Sequence, residues 1–218
     1  MENNILDKKQ VEFLNEFQKV SFLGDNFYLT GGTALAAFYL KHRYSEDLGF
    51  FTEREIDVLN LDASLKKLQK ILNPNTVDFQ QSYNRNMVFL SFGNTVLKTE
   101  FTYFPFPRID NKISWNGISI DSLLDIAVNK LFTIYQRVAA RDYIDLYFII
   151  KKERFEMEDL ILKARAKFDW HIDPIQLGVQ FIKAEEAEDV PRMIKKIEDS
   201  VWRKFYIGEA KKLKKSVV

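Results

Sequence analysis

The stretch Phe27-Tyr28-Leu29-Thr30-Gly31-Gly32-Thr33-Ala34-Leu35 decides how this chain is read. Four strand-forming residues, 27–30, run into two glycines, and an Ala- and Leu-rich helix follows over 33–41. Glycines let an anion approach the backbone closely, and the free amides at the start of a helix favour negative charge there. Gly31, Gly32 and Thr33 are therefore candidates to hold a phosphate. A tight turn made for packing would look the same, and the turn is not a P-loop, because no Gly-Lys-Ser/Thr follows.

Directly downstream stands His42-Arg43-Tyr44-Ser45-Glu46-Asp47-Leu48-Gly49-Phe50-Phe51. Residues 48–52 read as a second strand. Side chains alternate along it, so Leu48 and Phe50 share the core face while Asp47 and Gly49 share the other. Asp47 is thereby expected to point at the Gly-Gly turn, where a magnesium-bound triphosphate would lie. Further on, Val96-Leu97-Lys98-Thr99-Glu100-Phe101-Thr102-Tyr103 reads as a strand with Lys98, Glu100 and Thr102 on its polar face. Glu100 is a second carboxylate that could meet Asp47, although an ordinary half-exposed strand has the same pattern.

Around these motifs the spacing predicts helices over 8–20 and 57–72 and strands over 76–82, 87–92 and 96–104, with a turn at Gly93-Asn94. From Ser122 the pattern becomes helical: 122–138, 142–152, 157–168, 175–184 and 191–205. The expected fold is α/β (α+β), a mixed sheet with flanking helices over residues 1–110, followed by a helical domain over 111–218 that completes the active-site cleft. Asp125 reads as a helix-cap partner of Ser122. Lys130 lies inside the apolar stripe of its helix, so it either snorkels outward or reaches a phosphate. Arg141 and Asp145, four apart, suit an ion pair, and Asp142 sits where a capping Asp belongs. His42 and His171 are too far apart in sequence to suggest a metal site, and Trp170 and Trp202 read as core.

Composition sets the outer bounds. The chain has 218 residues and 46% hydrophobic content, enough for a sizeable core, and 19 Phe point to aromatic packing. With no Cys, disulfides, zinc–cysteine sites and thiol catalysis are excluded, which fits a reducing compartment. The N-terminal stretch has no apolar signal core and no long apolar run occurs, so a cytoplasmic protein without membrane association is expected. Net charge is +1 overall, yet residues 191–218 hold nine Lys or Arg against three Asp or Glu. Such a basic stretch is either a solvated helix end or a surface for an anionic partner.

The combined pattern resembles the AbiEii/AbiGii toxin family of nucleotidyltransferases, whose fold is similar to the DNA polymerase β nucleotidyltransferase core. The resemblance is carried by Thr30-Gly31-Gly32-Thr33-Ala34-Leu35 and by His42-Arg43-x-Ser45-x-Asp47-Leu48-x-Phe50-Phe51. It continues through Asp125-Ile126-Ala127-x-x-Lys130-Leu131 and Arg137-x-x-x-Arg141-Asp142-Tyr143-Ile144-Asp145-Leu146-Tyr147-Phe148. Phe181-x-x-Ala184-Glu185, Pro191-x-Met193 and Trp202 complete it. It implies a bacterial toxin–antitoxin or phage-defence setting and a metal-dependent nucleotidyltransferase using Mg²⁺ or Mn²⁺ and a nucleoside triphosphate. The acceptor it implies is RNA, with the 3′ end of tRNA as one example, and the partner a cognate antitoxin. Carried over residue by residue, Asp47 would bind metal and, with Lys130 and Asp145, serve the reaction; Glu100, read from strand alternation and outside the matched motifs, is the candidate second metal ligand and base. Gly31, Gly32, Thr33, Arg43, Ser45, Lys130, Arg141 and Asp142 would contact the nucleotide.

One position departs from the family pattern. The family has Asp-x-Asp on this strand, and the second Asp is Gly49 here. A charge pair about 4 Å apart is worth around 4 kcal/mol at an effective dielectric of about 20, an upper guide to the loss. Gly49 leaves several readings open: a slower enzyme, one rewired to Asp47 and Glu100, a catalytically inactive nucleotide-binding module, or a change that silences a toxic protein. A pure RNA-binding protein is the remaining alternative, and it predicts steep salt dependence with no nucleotide requirement.

Overall fold

The computed structural model describes residues 5–215. They form two compact units. The first comprises residues 5–39, 45–107 and 111–122; the second comprises 40–44, 108–110 and 123–215. The boundary expected at residue 110 thus falls inside a short excursion of the chain, and residues 113–120 belong to the sheet unit.

In the first unit, helices α1 (Lys8–Phe17) and α2 (Ser21–Asn26) precede strand β1 (Tyr28–Thr30). Helix α3 (Gly31–Ala34) continues as a π-helical turn over Leu35–Leu40, and β2 (Leu48–Thr52), α4 (Val58–Leu72), β3 (Thr76–Ser82), β4 (Arg85–Phe92) and β5 (Thr95–Tyr103) follow. Two strands absent from the sequence expectation, β6 (Ile113–Trp115) and β7 (Ile118–Ile120), close the sheet. Its order is β3-β4-β5-β2-β1-β7-β6. The β2–β5 and β1–β7 pairs are parallel and the others antiparallel. The β6–β7 hairpin turns on Asn116 and Gly117, both with positive φ, as a two-residue hairpin loop requires.

The core of this unit is aromatic, as the Phe count suggests. Phe50 of β2 stacks on Phe17 of α1 at 4.3 Å and on Phe101 of β5 at 5.3 Å, and Phe13 and Phe27 pack around them. Leu48, Phe50, Leu97, Thr99 and Phe101 are all buried on this face, which leaves Gly49, Lys98 and Glu100 on the other. Helix α1 begins on a capping box made by Asp7 and Gln10. The Gln10 side-chain amide also donates to the Glu46 carbonyl, tying the helix to the loop before β2.

The second unit holds α5 (Leu123–Gln136), α6 (Ala140–Glu153), α7 (Met157–Phe168), α8 (Pro174–Ile182) and α9 (Asp199–Lys215). Tyr143, Trp202, Tyr206 and Phe181 pack in its core, and the Tyr206 hydroxyl donates to the Tyr143 carbonyl at 2.8 Å. Trp170, expected in the core, is 57% exposed. The helix expected over 191–205 is displaced: Arg43 and Met193 form an antiparallel bridge, and the helix starts only at Asp199. Pro191 reads as a helix-start residue but here precedes a bridged segment.

Candidate active site

The turn after β1 is built from backbone conformation. Gly31 has φ of +73°, in the left-handed region that favours glycine, and open space surrounds the place a Cβ would take. Thr30, just before it, is buried and donates its hydroxyl to Asp121 at 2.7 Å, pinning the end of β1 to the segment after β7. Thr33, one turn on, donates its hydroxyl to the Asp47 carbonyl and is bonded to the Ser45 hydroxyl at 2.8 Å. The Gly-Gly turn and the loop carrying Asp47 are therefore stitched together. The Ser45 hydroxyl is engaged in that stitching, and its carbonyl accepts from the Gln10 side-chain amide at 3.3 Å.

The strand register then places the carboxylates. Thr30 faces Gly49 across β1–β2, and Gly49 faces Glu100 across β2–β5. The Asp47 carboxylate is 52% exposed and pairs with Lys98 Nζ at 2.8 Å. Glu100 is gripped by two Arg85 nitrogens at 2.7 and 2.6 Å and accepts a further bond from Thr102. Burial would raise the Glu100 carboxyl, but the Arg85 and Thr102 hydrogen bonds outweigh it and hold it below the ordinary carboxylate range.

These two carboxylates fit a metal unequally. Asp47 is exposed, and its partner Lys98 is a flexible chain, so it suits a single magnesium that takes the rest of its shell from phosphate and water. Glu100 has both oxygens committed to Arg85. Among the described residues no group of three or more His, Cys, Asp or Glu side chains is placed to hold a metal. The set fits one ion at Asp47 and does not fit a two-metal clamp. Gly49 is the reason. Its backbone would accept a side chain, since a Cβ there would meet only the Thr30 carbonyl oxygen, at 3.7 Å.

The remaining predicted residues gather in the second unit around one buried carboxylate. Asp145 is fully buried. It accepts from His42 Nε2 at 2.8 Å, from Arg43 Nε and an Arg43 terminal nitrogen at 2.7 and 2.8 Å, and from Lys130 Nζ at 2.6 Å. Asp142 accepts from Lys130 at 2.7 Å and from Arg137 at 2.9 Å. Burial alone would raise both carboxyls. The surrounding cations, Lys130 foremost, reverse this and hold Asp145 far below the usual range and Asp142 below it. For His42, burial outweighs the Asp145 hydrogen bond and lowers the imidazole pKa, and its Nδ1 has no hydrogen-bond partner among the described residues.

Several expectations are corrected here. Lys130 neither snorkels into solvent nor presents a free amine; it is buried between two carboxylates. Arg141 does not pair with Asp145, because Asp145 is enclosed by Arg43, His42 and Lys130, and Arg141 points outward, exposed. Asp142 is not a cap: Ala139 takes that position, and Asp142 turns inward to Lys130 and Arg137. Asp125 accepts from the amides of Ile109 and Asp110 and from Lys167. Arg43 uses its Nε and both terminal nitrogens on Asp145 and the Tyr44 carbonyl. Two residues the sequence left unassigned, Lys98 and Arg85, turn out to hold the two candidate metal carboxylates. Arg85 lay outside the expected strand, which began at 87. Lys98 was on the right face, but only the parallel β2–β5 register puts it opposite Asp47.

Comparison with known proteins places the chain in a family. The family model for the nucleotidyl transferase AbiEii toxin of type IV toxin–antitoxin systems matches residues 12–208. An uncharacterised protein of Aquifex aeolicus (strain VF5) is 32% identical over 208 residues, spanning 91% of this chain and 95% of that one. Among solved structures, JHP933 from Helicobacter pylori aligns over 98% of both chains with 22% identity and a TM-score of 0.56. MenT4, a nucleotidyltransferase toxin from Mycobacterium tuberculosis, aligns over 94% of this chain and 84% of that one, with 14% identity and a TM-score of 0.59. The mixed seven-stranded sheet with flanking helices is thus the fold of these structures, and the chain belongs to the AbiEii nucleotidyltransferase toxin family.

Proposed function

We propose that this protein binds a nucleoside triphosphate at the Gly31–Gly32 turn and transfers its nucleotidyl group to an RNA acceptor, with the 3′ end of tRNA as the acceptor to test first. The observation that carries the proposal is the stitching of Thr33 at the turn to the backbone of Asp47, which keeps an anion-accepting turn and an exposed carboxylate in register. Asp47 would hold one Mg²⁺ or Mn²⁺, and such an ion would supply polarisation of the phosphate oxygens. The amides of the turn orient the phosphates for in-line displacement, in which the acceptor hydroxyl oxygen bonds to the α-phosphorus, gives up its proton to solvent, and the bond to the β-phosphate breaks to release pyrophosphate. Glu100, ion-paired and held below its ordinary range, is a weak base and acts here as the anchor of Arg85. Exposed lysines of α9, among them Lys211 and Lys214, form a basic surface of the kind that an RNA backbone recognises. The family setting makes an antitoxin protein the expected regulatory partner.

Gly49 favours a second reading, a nucleotide-binding module with little transfer. A labelled-triphosphate assay on total tRNA with Mg²⁺ or Mn²⁺ separates the two. Transfer that disappears in Asp47→Ala supports the enzyme. No transfer by the natural sequence, with activity gained in Gly49→Asp, supports the module.

A further inference from the structure

The sheet face beside the Gly-Gly turn carries its own cations. Lys98 stands against Asp47 and Arg85 against Glu100, so the two carboxylates are balanced by two basic groups within the sheet. An Asp at position 49 would add a third carboxylate directly across from Glu100 and leave the face one negative charge in excess. A triphosphate carries several negative charges and could approach such a face only with metal between. The face as it stands is neutral and adds no such excess repulsion. Lys98 has three donors, of which one goes to Asp47, and its side chain is 31% exposed. Arg85 spends Nε and one terminal nitrogen on Glu100 and is 54% exposed. Gly49 leaves the space between these groups without a side chain.

Building on the nucleotide site proposed above, we infer that Lys98 is a triphosphate-binding residue: it supplies from the protein the positive charge that a carboxylate at position 49 would recruit as metal. Nucleotide binding by this chain is therefore largely independent of divalent metal. Lys98 moves from Asp47 to a phosphate oxygen when nucleotide arrives, and Asp47 is released to take the single ion. Arg85 keeps Glu100 from competing for Lys98.

The test is calorimetric titration of the full chain with ATP and GTP, each in excess Mg²⁺ and in EDTA. Binding in EDTA within about threefold of that in Mg²⁺ is expected, since one charge contact replaces another of similar size. Lys98→Met, which keeps the aliphatic stem, should weaken binding in EDTA by about tenfold or more, with Mg²⁺ restoring part of the loss. Gly49→Asp should likewise become metal-requiring. Natural-sequence binding that collapses in EDTA but is tight in Mg²⁺ overturns this inference and leaves the nucleotide site standing. Binding in neither condition overturns both. Lys98→Met binding in EDTA as tightly as the natural sequence also overturns it.

Discussion

Gly49 of β2 lies directly across from Glu100 of β5 in a parallel register, and Glu100 is turned to Arg85. The strand position two residues after Asp47 thus carries no side chain and lies beside a carboxylate whose charge is already paired. Restoring Asp at position 49 should cost the fold little, because the nearest atom to its Cβ is the Thr30 carbonyl oxygen at 3.7 Å and the backbone there is ordinary strand. The expected outcome is a melting temperature within about 3 °C of the parent, since substitutions at unobstructed sites cost about 0.5 kcal/mol or less. Metal-dependent transfer should rise by at least about tenfold, a small part of the ~4 kcal/mol upper guide for one added charge contact. Differential scanning calorimetry and the labelled-triphosphate assay read the two effects separately.

Asp145 and Arg141 should separate structure from surface. Asp145 is the fully buried acceptor for His42, Arg43 and Lys130. Replacing it by Ala leaves Arg43 and Lys130 buried without that counter-charge, and breaking such a pair costs about 3–5 kcal/mol. Arg141→Ala, at an exposed position, should shift stability by no more than about 0.5 kcal/mol. Urea unfolding of both variants checks this. If Arg141→Ala still weakens transfer, Arg141 acts on the ligand and not on the fold.

The contrast between these two residues shows what the sequence could and could not say. Periodicity located strand 48–52, strand 76–82 and helix 157–168 at their observed bounds, because their apolar residues alternate or recur cleanly. The short strands over 113–120 escaped, since three residues give too little alternation to read. Site residues were legible as types on a motif, but their partners were not. Asp145 was read against Arg141 because helical spacing exposes only neighbours in sequence, while its observed partners Arg43 and His42 lie about a hundred residues away. Lys98 and Asp47 likewise met only through strand order, which no local pattern encodes.

Thr33 offers a test of how the turn and the carboxylate are coupled. Thr33→Val removes the hydroxyl that bonds the Asp47 carbonyl and Ser45 while keeping nearly the same shape. Thr33 is buried, so the loss should cost about 1–3 kcal/mol of stability. It should also loosen Asp47 relative to the Gly31–Gly32 turn. A drop in transfer at saturating nucleotide, larger than the drop in nucleotide affinity, would mark lost positioning. An unchanged rate would mean that Gln10 and Lys98 hold the loop without the Thr33 hydroxyl.

The buried histidine predicts a pH dependence distinct from that of the carboxylates. His42 has its pKa lowered from the ordinary 6.5, chiefly by burial. Between that ordinary value and the lower folded one, the unfolded chain binds a proton that the folded chain does not. The His42 contribution is therefore fully present above about pH 6.5 and is lost as pH falls through the folded value. Asp142 and Asp145, held below the ordinary 3.8, contribute stability that is present above that value and is lost only in stronger acid. Urea unfolding from pH 7.5 down to pH 3 should accordingly fall in two stages. His42→Gln, which can keep a donor toward Asp145, should remove the upper stage and leave the lower one. A first stage that persists in His42→Gln would place its origin outside this cluster.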